Sequence, residues 1–157
     1  MSRQSLQPSR DPGDYTFTHR LRTRFAETDA MGIVHHAAYL PYLEEARVAY
    51  LRTIGHPYAS LRIDDGDGGD GRDFAVLEAS VHYRKPLYFD DVVDVSMVVG
   101  AVTRTTFQVA YLLTVDGDVR ATAVTVHGAV DRQGRPARLP PWVRREVDEA
   151  PAPGSGS

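Results

Sequence analysis

An α+β fold, with a five-stranded antiparallel sheet wrapped around one long central helix, is what this sequence predicts. Three observations carry the expectation. Tyr39 to Ile54 has helical apolar spacing, one alternating segment precedes it, and four long stretches rich in β-branched and aromatic residues follow. The connections among those later stretches are short, which makes their neighbours antiparallel.

The elements follow in chain order. Residues 1–14 are polar and read as a disordered lead-in to a globular domain at 15–147. From Thr16 to Phe25 the chain alternates: Phe17, His19, Leu21, Thr23 and Phe25 share one face, while Thr18, Arg20, Arg22 and Arg24 share the other. Tyr39, Leu40, Leu43, Ala46, Ala49, Tyr50 and Ile54 form one helical stripe. Pro41 falls in the first turn, where its missing N–H costs little, and Gly55 with Pro57 ends the helix. Glu44 and Glu45 early, with Arg47 and Arg52 later, suit the helix dipole. Leu61 to Asp73 is an acidic, glycine-rich loop; its twelfth position counted from Asp65 is Val76, so a calcium-loop pattern fails. Strands are expected at Phe74–Tyr83, Val92–Val102, Thr105–Val115 and Val119–Val130, with a tight hairpin at Asp116-Gly117-Asp118. Pro140, Pro141 and Trp142 open a short terminal helix, and residues 148–157 form a Pro/Gly/Ser tail expected to be disordered.

Composition narrows the function. A chain of 157 residues holds one domain with a full core. A net charge of −3 argues against nucleic acid as a bulk electrostatic partner. The absence of cysteine removes disulfides, zinc–thiolate sites and cysteine nucleophiles. No apolar run reaches membrane-spanning length, and residues 1–14 lack the apolar core of a secretory signal. A cytoplasmic protein that engages neither nucleic acid nor membrane is expected. One helix covers only a strip of a five-stranded sheet, so a homodimer that continues the sheet across a two-fold axis is expected to protect its edge.

The stretch Glu27-Thr28-Asp29-Ala30-Met31-Gly32-Ile33-Val34-His35-His36 joins the first strand to the helix. It sets the carboxylate of Asp29 just before the backbone N–H groups of a helix N-terminus, which is minimal equipment for acyl transfer. A carboxylate there can attack an acyl carbon, activate water, or merely cap a turn.

Thr28 to His36, followed by Tyr39-Leu40 and Glu45-Ala46-Arg47, resembles the hotdog-fold acyl-CoA thioesterases, in the YbgC-like branch of the 4-hydroxybenzoyl-CoA thioesterase superfamily. Tyr83-Arg84-Lys85-Pro86-Leu87-Tyr88-Phe89-Asp90-Asp91 and Arg104-Thr105-Thr106-Phe107 extend the likeness, which covers His19 to about Arg145. The resemblance implies a hotdog fold and hydrolysis of an acyl-CoA or acyl-carrier-protein thioester. It implies Asp29 as the catalytic carboxylate and the His36 main-chain N–H as oxyanion donor, with a helix-capping or catalytic role for the His36 side chain. It assigns Arg104, Thr105, Thr106 and Arg138 to coenzyme A, with Arg84 and Lys85 as further candidates, and a homodimer or homotetramer. Coenzyme A is then part of the substrate, and neither a cofactor nor a metal is expected. Met31 and Phe25 depart from the branch, where glycine or alanine and tyrosine are common. Phe25, Tyr39, Leu43, Leu77 and Ala79 are candidate walls for the acyl slot. Glu78 falls on a strand, so the helix glutamate of distant hotdog enzymes has no counterpart there. Adjacent His35 and His36 do not make a metal pair. A hydroxyacyl-thioester dehydratase and a non-catalytic acyl-CoA-binding module are the alternatives; release of free thiol separates hydrolysis from both.

Overall fold

The computed structural model describes residues 1–57 and 73–149. Residues 61–72 of the expected acidic loop, and the tail from residue 150, lie outside them. Five strands form one sheet: β1 (Phe17–Arg22), β2 (Asp73–Tyr83), β3 (Val92–Gly100), β4 (Thr106–Val115) and β5 (Asp118–Val130). Their spatial order is β1-β3-β4-β5-β2, and every neighbouring pair is antiparallel. Helix α1 (Tyr39–Thr53) packs on one face, mainly over β1 and β3, and a short helix α2 (Pro141–Glu149) closes the chain. This is the predicted hotdog architecture.

Local chemistry fixes the elements. Helix α1 ends in a Schellman turn: Gly55 adopts φ +84°, its N–H bonds Arg52 O, and His56 N–H bonds Leu51 O. The β4–β5 hairpin turns through Asp116 and Gly117, with φ of +50° and +79°, the positive pair that a tight right-twisted hairpin requires. Alternation along β4 sends Phe107, Val109, Tyr111, Leu113 and Val115 inward to meet Leu43 and Ala46 of α1. Strand β1 is shorter than the alternation suggests. The chain breaks into a 3-10 turn at Phe25–Glu27, and Phe25 is 77% exposed instead of lining the core.

Residues 1–14 also differ from expectation: they lie along the outer sheet face. Gln108 Oε1 accepts the Ser5 and Leu6 amides, both at 2.9 Å, and its Nε2 donates to Arg3 O at 3.0 Å. Leu6 and Tyr15 pack on Ala110 and Leu112 of the same face. Glu78 accepts from Ser2 Oγ and the Arg3 amide, so its role is to anchor this strap. A polar segment docks here because buried Gln108 supplies the hydrogen bonds that its backbone needs.

Candidate active site

The segment after β1 folds back on itself before α1. His35 N–H bonds Glu27 O at 2.7 Å, Thr28 pairs with Val34, and Asp29 N–H bonds Ile33 O at 2.8 Å. Gly32, at φ +77°, supplies the left-handed step that closes this narrow loop. A second loop clamps it: Val34 N–H bonds Leu87 O, and Phe89 N–H bonds Gly32 O. That clamp is fixed from behind. Thr23 Oγ1 donates to Tyr88 O and accepts from the Asp91 amide, while Arg120 reaches Pro86 O, Asp91 and Asp118.

Asp29 sits at the tip of this loop and is exposed. Its Oδ1 accepts the amides of Met31 at 2.8 Å and Ile33 at 3.2 Å. Its Oδ2 makes no hydrogen bond within the described residues. One oxygen therefore holds the turn, and the other is unengaged among the described residues. Two ladder steps away, the chain enters the 3-10 turn His36–Ala38 that runs straight into α1. His35, not His36, caps it: His35 Nδ1 accepts the Ala37 amide at 3.2 Å, which puts the proton of the neutral ring on Nε2. The rings of His35 and His36 stack at 4.4 Å. The His36 amide bonds no described acceptor and stands at the tip of the helical run, where partial positive charge accumulates. Its carbonyl accepts from the Tyr83 hydroxyl at 3.1 Å, tying the helix entrance to β2.

Glu27 is a residue that sequence reasoning passed over. Its Oε1 accepts the Tyr42 hydroxyl at 2.7 Å and the Arg24 amide at 2.8 Å, and its Oε2 accepts the Arg24 guanidinium. Burial works against the charge, but those donors outweigh it and hold the carboxyl below its ordinary value. Glu27 thereby locks the Asp29 loop to the first turns of α1. Only the glutamate half of a capping box is present, Glu27 accepting the amide of Arg24 three residues before it, so the sequence carried little signal of this lock.

The expected coenzyme A residues lie elsewhere. Leu139 N–H bonds Arg104 O at 2.8 Å, so the segment leaving β5 runs beside the entrance to β4 and brings Arg138 to Arg104. Both border a cavity of about 360 Å³, together with Arg144, Arg145 and Asp148 of α2. Thr105 and Thr106 do not line it; the Thr106 hydroxyl bonds Thr103 Oγ1 at 2.7 Å and serves the turn before β4. Arg84 and Lys85 lie at the other end of the sheet, where Lys85 pairs with Asp118. This basic cavity is at the start of β4, whereas the Asp29 loop is at its finish. Ten residues of strand separate them, roughly 30 Å. One protomer therefore does not unite the two predicted halves of the site. The candidate acyl walls are likewise dispersed: Tyr39 and Leu43 are core residues, while Phe25 and Leu77 face outward.

A second cavity, of about 220 Å³, opens between α1, α2 and the inner sheet face. Phe74, Phe107, Val109 and Trp142 wall it, and Arg47 and His127 border it. Exposed apolar side chains mark the nearby edges. Phe25, Met31, Tyr88 and Phe89 surround the Asp29 loop, and Val76, Leu77 and Tyr83 lie along the open edge strand β2. No helix among the described residues is long and apolar enough to cross a membrane.

Comparison with known proteins gives a consistent assignment. Residues 23–147 match the thioesterase-like superfamily. The chain is 30% identical over 140 residues to a 1,4-dihydroxy-2-naphthoyl-CoA hydrolase of Synechococcus elongatus, a match that covers 86% of this chain and 98% of the relative. A crystal structure of a hypothetical protein from Aquifex aeolicus superposes with a TM-score of 0.76 at 37% identity, covering 83% of this chain and 98% of the other. A hypothetical protein from Thermus thermophilus gives a TM-score of 0.75 at 31% identity, covering 86% and 97%. The chain belongs to the thioesterase-like superfamily and is an acyl-CoA thioesterase of the hotdog fold.

Proposed function

We propose that this thioesterase works as a homodimer in which Asp29 of one protomer and the arginine cavity of the other form each site. The observation that carries the reading is the separation of these two groups at opposite ends of β4. Among the described residues strand β2 is an edge of the sheet with no neighbour beyond it; its carboxyl end meets the Asp29 region through Tyr83 and His36, and its amino end lies beside the β4 entrance. A two-fold axis that pairs β2 with its own copy antiparallel sets the Asp29 loop of each protomer near the basic end of the other. The same contact covers the exposed apolar side chains of β2 and of the Asp29 loop.

Chemistry at such a site uses few groups. A thioester carbonyl is electrophilic and its thiolate leaves readily, so one carboxylate suffices. Asp29 Oδ2 adds to the acyl carbon or draws a proton from a water that does so. The oxyanion that forms is met by the His36 amide at the helix tip, a donor worth about 3 kcal/mol in transition-state stabilisation. The role assigned here to the His36 side chain is proton delivery to the departing thiolate. Arg104 and Arg138, joined by Arg144 and Arg145, hold the coenzyme A phosphates, for which planar guanidinium forks are well suited. Binding of that remote part lowers KM more than it raises kcat. A coenzyme A thioester substrate and a cysteine-free chain are consistent with a cytoplasmic enzyme. The named Synechococcus relative makes an aromatic acyl group a sensible first substrate to assay.

Subunit complementation tests the shared site. D29N and the double variant R104A/R138A, each impaired alone, are co-expressed with separable tags and purified as mixed dimers. A shared site leaves one native combination per mixed dimer, so thiol release should recover to about half of the wild-type rate per dimer. Mixed dimers no faster than their parents would place each site within one protomer and end this reading.

A further inference from the structure

Arg47 occupies an unusual position for a guanidinium. It follows Leu43 by four residues and precedes Tyr50 by three, so it lies on the sheet-facing side of α1. It is half-buried, and no described carboxylate lies within ion-pair distance of it. Its Nη1 donates to the Tyr111 hydroxyl at 3.1 Å. That hydroxyl meets Thr125 Oγ1 at 2.8 Å, and Thr125 Oγ1 meets His127 Nε2 at 2.7 Å. A guanidinium can only donate, and Tyr111 is fully buried. The direction that uses every hydroxyl proton runs from Arg47 through Tyr111 and Thr125 to His127 Nε2. It leaves the imidazole proton on Nδ1. Burial, with a smaller push from the Arg47 cation, lowers the His127 pKa to about 3, so this ring stays neutral.

Arg47 and His127 both border the 220 Å³ cavity, beside the aromatic walls of Phe74, Phe107 and Trp142. Glu44 and Glu146 border it as well, without pairing with Arg47. A half-buried cation whose remaining N–H groups meet no described acceptor, set beside mostly apolar walls, is matched by a ligand that carries an acceptor oxygen beyond an apolar body. In the two-fold arrangement proposed above, this end of one protomer faces the Asp29 loop of the other. We propose that the cavity receives the acyl group of the thioester, and that Arg47 is a specificity residue selecting acyl groups that end in an acceptor oxygen over hydrocarbon ones. Tyr111, Thr125 and His127 are positioning residues that hold the guanidinium toward the chamber. The inference rests on the thioesterase reading of the site and adds the polarity of the acyl end to it.

Three coenzyme A thioesters test it: phenylpropanoyl-CoA and its para-hydroxy and para-carboxy analogues. Two readouts are taken, namely kcat/KM from thiol release and the fluorescence of Trp142, the only tryptophan, during titration with the three free acids. Wild-type protein should prefer at least one oxygenated thioester over the plain one by about tenfold or more, the worth of one charged hydrogen bond. The two oxygenated analogues distinguish a phenolic from an anionic end. R47M should bring the ratio near unity, and R47K should keep part of it. The free acids should follow the same order by Trp142 fluorescence. A wild-type preference for the plain thioester, or the same ratio in R47M, overturns the inference and leaves the hydrolase reading intact. Absence of thiol release from all three, with Arg47-dependent discrimination among the free acids retained, places these acyl groups outside the hydrolysed range and still supports the cavity assignment. A poorly folded R47M does not weaken the test, because the wild-type ratios alone can refute the preference.

Discussion

Replacing Asp29 separates the turn-holding bonds of its carboxylate from the catalytic task proposed for it. Oδ1 accepts from the Met31 and Ile33 amides, and Oδ2 makes no bond among the described residues. Asparagine keeps an acceptor oxygen in the Oδ1 position and replaces the reactive carboxylate oxygen with an NH2 group. D29N should therefore melt within about 1 °C of wild type, because both turn bonds survive. Its kcat should fall by about 10²–10⁴-fold, the usual contribution of a positioned acid–base group. D29A loses both turn bonds as well. The amides are at an exposed tip, where water replaces the lost acceptor, so each bond is worth about 0.5–1 kcal/mol and the pair about 1–2 kcal/mol. For a domain of this size that corresponds to a drop of roughly 2–8 °C in Tm. Thiol release with a coenzyme A thioester and differential scanning calorimetry measure the two effects separately. A D29N enzyme within threefold of the wild-type kcat would refute Asp29 as the reacting group. A D29A enzyme with unchanged Tm would refute the turn-holding role of Oδ1.

Two further outcomes are expected of stability. His127 is held neutral when folded, its pKa lowered to about 3 chiefly by burial, while the unfolded chain takes up a proton near pH 6.5. Below that value the unfolded state binds more protons, so His127 makes stability fall as the pH drops from about 6.5 toward 3, by about 2 kcal/mol between pH 7 and pH 5. H127Q should flatten that part of a urea-melt pH profile, and an unchanged slope would show that the ring is not buried as a neutral group. Truncating Gln108 to alanine should leave the Ser5 and Leu6 amides without acceptors and cost about 1–3 kcal/mol. Hydrogen exchange at those two amides should accelerate, and undiminished protection there would mean that the strap is not held by Gln108.

What could be read in the sequence follows the length of the signals. Helix α1, with 15 residues, and the strands, with 6 to 13, announce themselves by periodicity, and Gly55 and Asp116-Gly117 mark their turns by chemistry that few other residues supply. The Asp29 motif was visible because carboxylate, glycine and helix start are contiguous. Docking of residues 1–14 was not legible because it runs largely through backbone bonds to Gln108 and Glu78, with Leu6 as a single apolar anchor, and a backbone acceptor pattern leaves no trace in hydropathy. The polar chain behind the cavity is a different failure. Thr125 and His127 alternate with Val124 and Val126 on β5, and Arg47 belongs to the α1 stripe, so each could be placed on the inner face. Arg47 was instead credited to the helix dipole, because that explanation was complete within the helix itself.

The separation of Asp29 from the arginine cavity also accounts for features that look like defects in a lone protomer. Helix α1 lies mainly over β1 and β3, and a cavity remains between it, α2 and the inner sheet face, with Phe74 and Val76 of β2 in its wall. A monomer would gain by filling that space and by blunting the β2 edge with charge, since an open edge invites association. This chain instead keeps Val76, Leu77 and Tyr83 exposed on the edge and Met31 79% exposed beside Asp29. Burying those side chains between two protomers removes several hundred square ångströms of apolar surface from water, each 100 Å² worth roughly 2.5 kcal/mol before association entropy is subtracted. The hydrophobic contact that stabilises such a dimer is then the same contact that closes water out around Asp29 Oδ2. On the proposed two-fold arrangement, a variant that weakens the β2 edge should lose activity in step with dimer dissociation, because that arrangement brings Asp29 Oδ2 and the cavity of the partner together only across that edge.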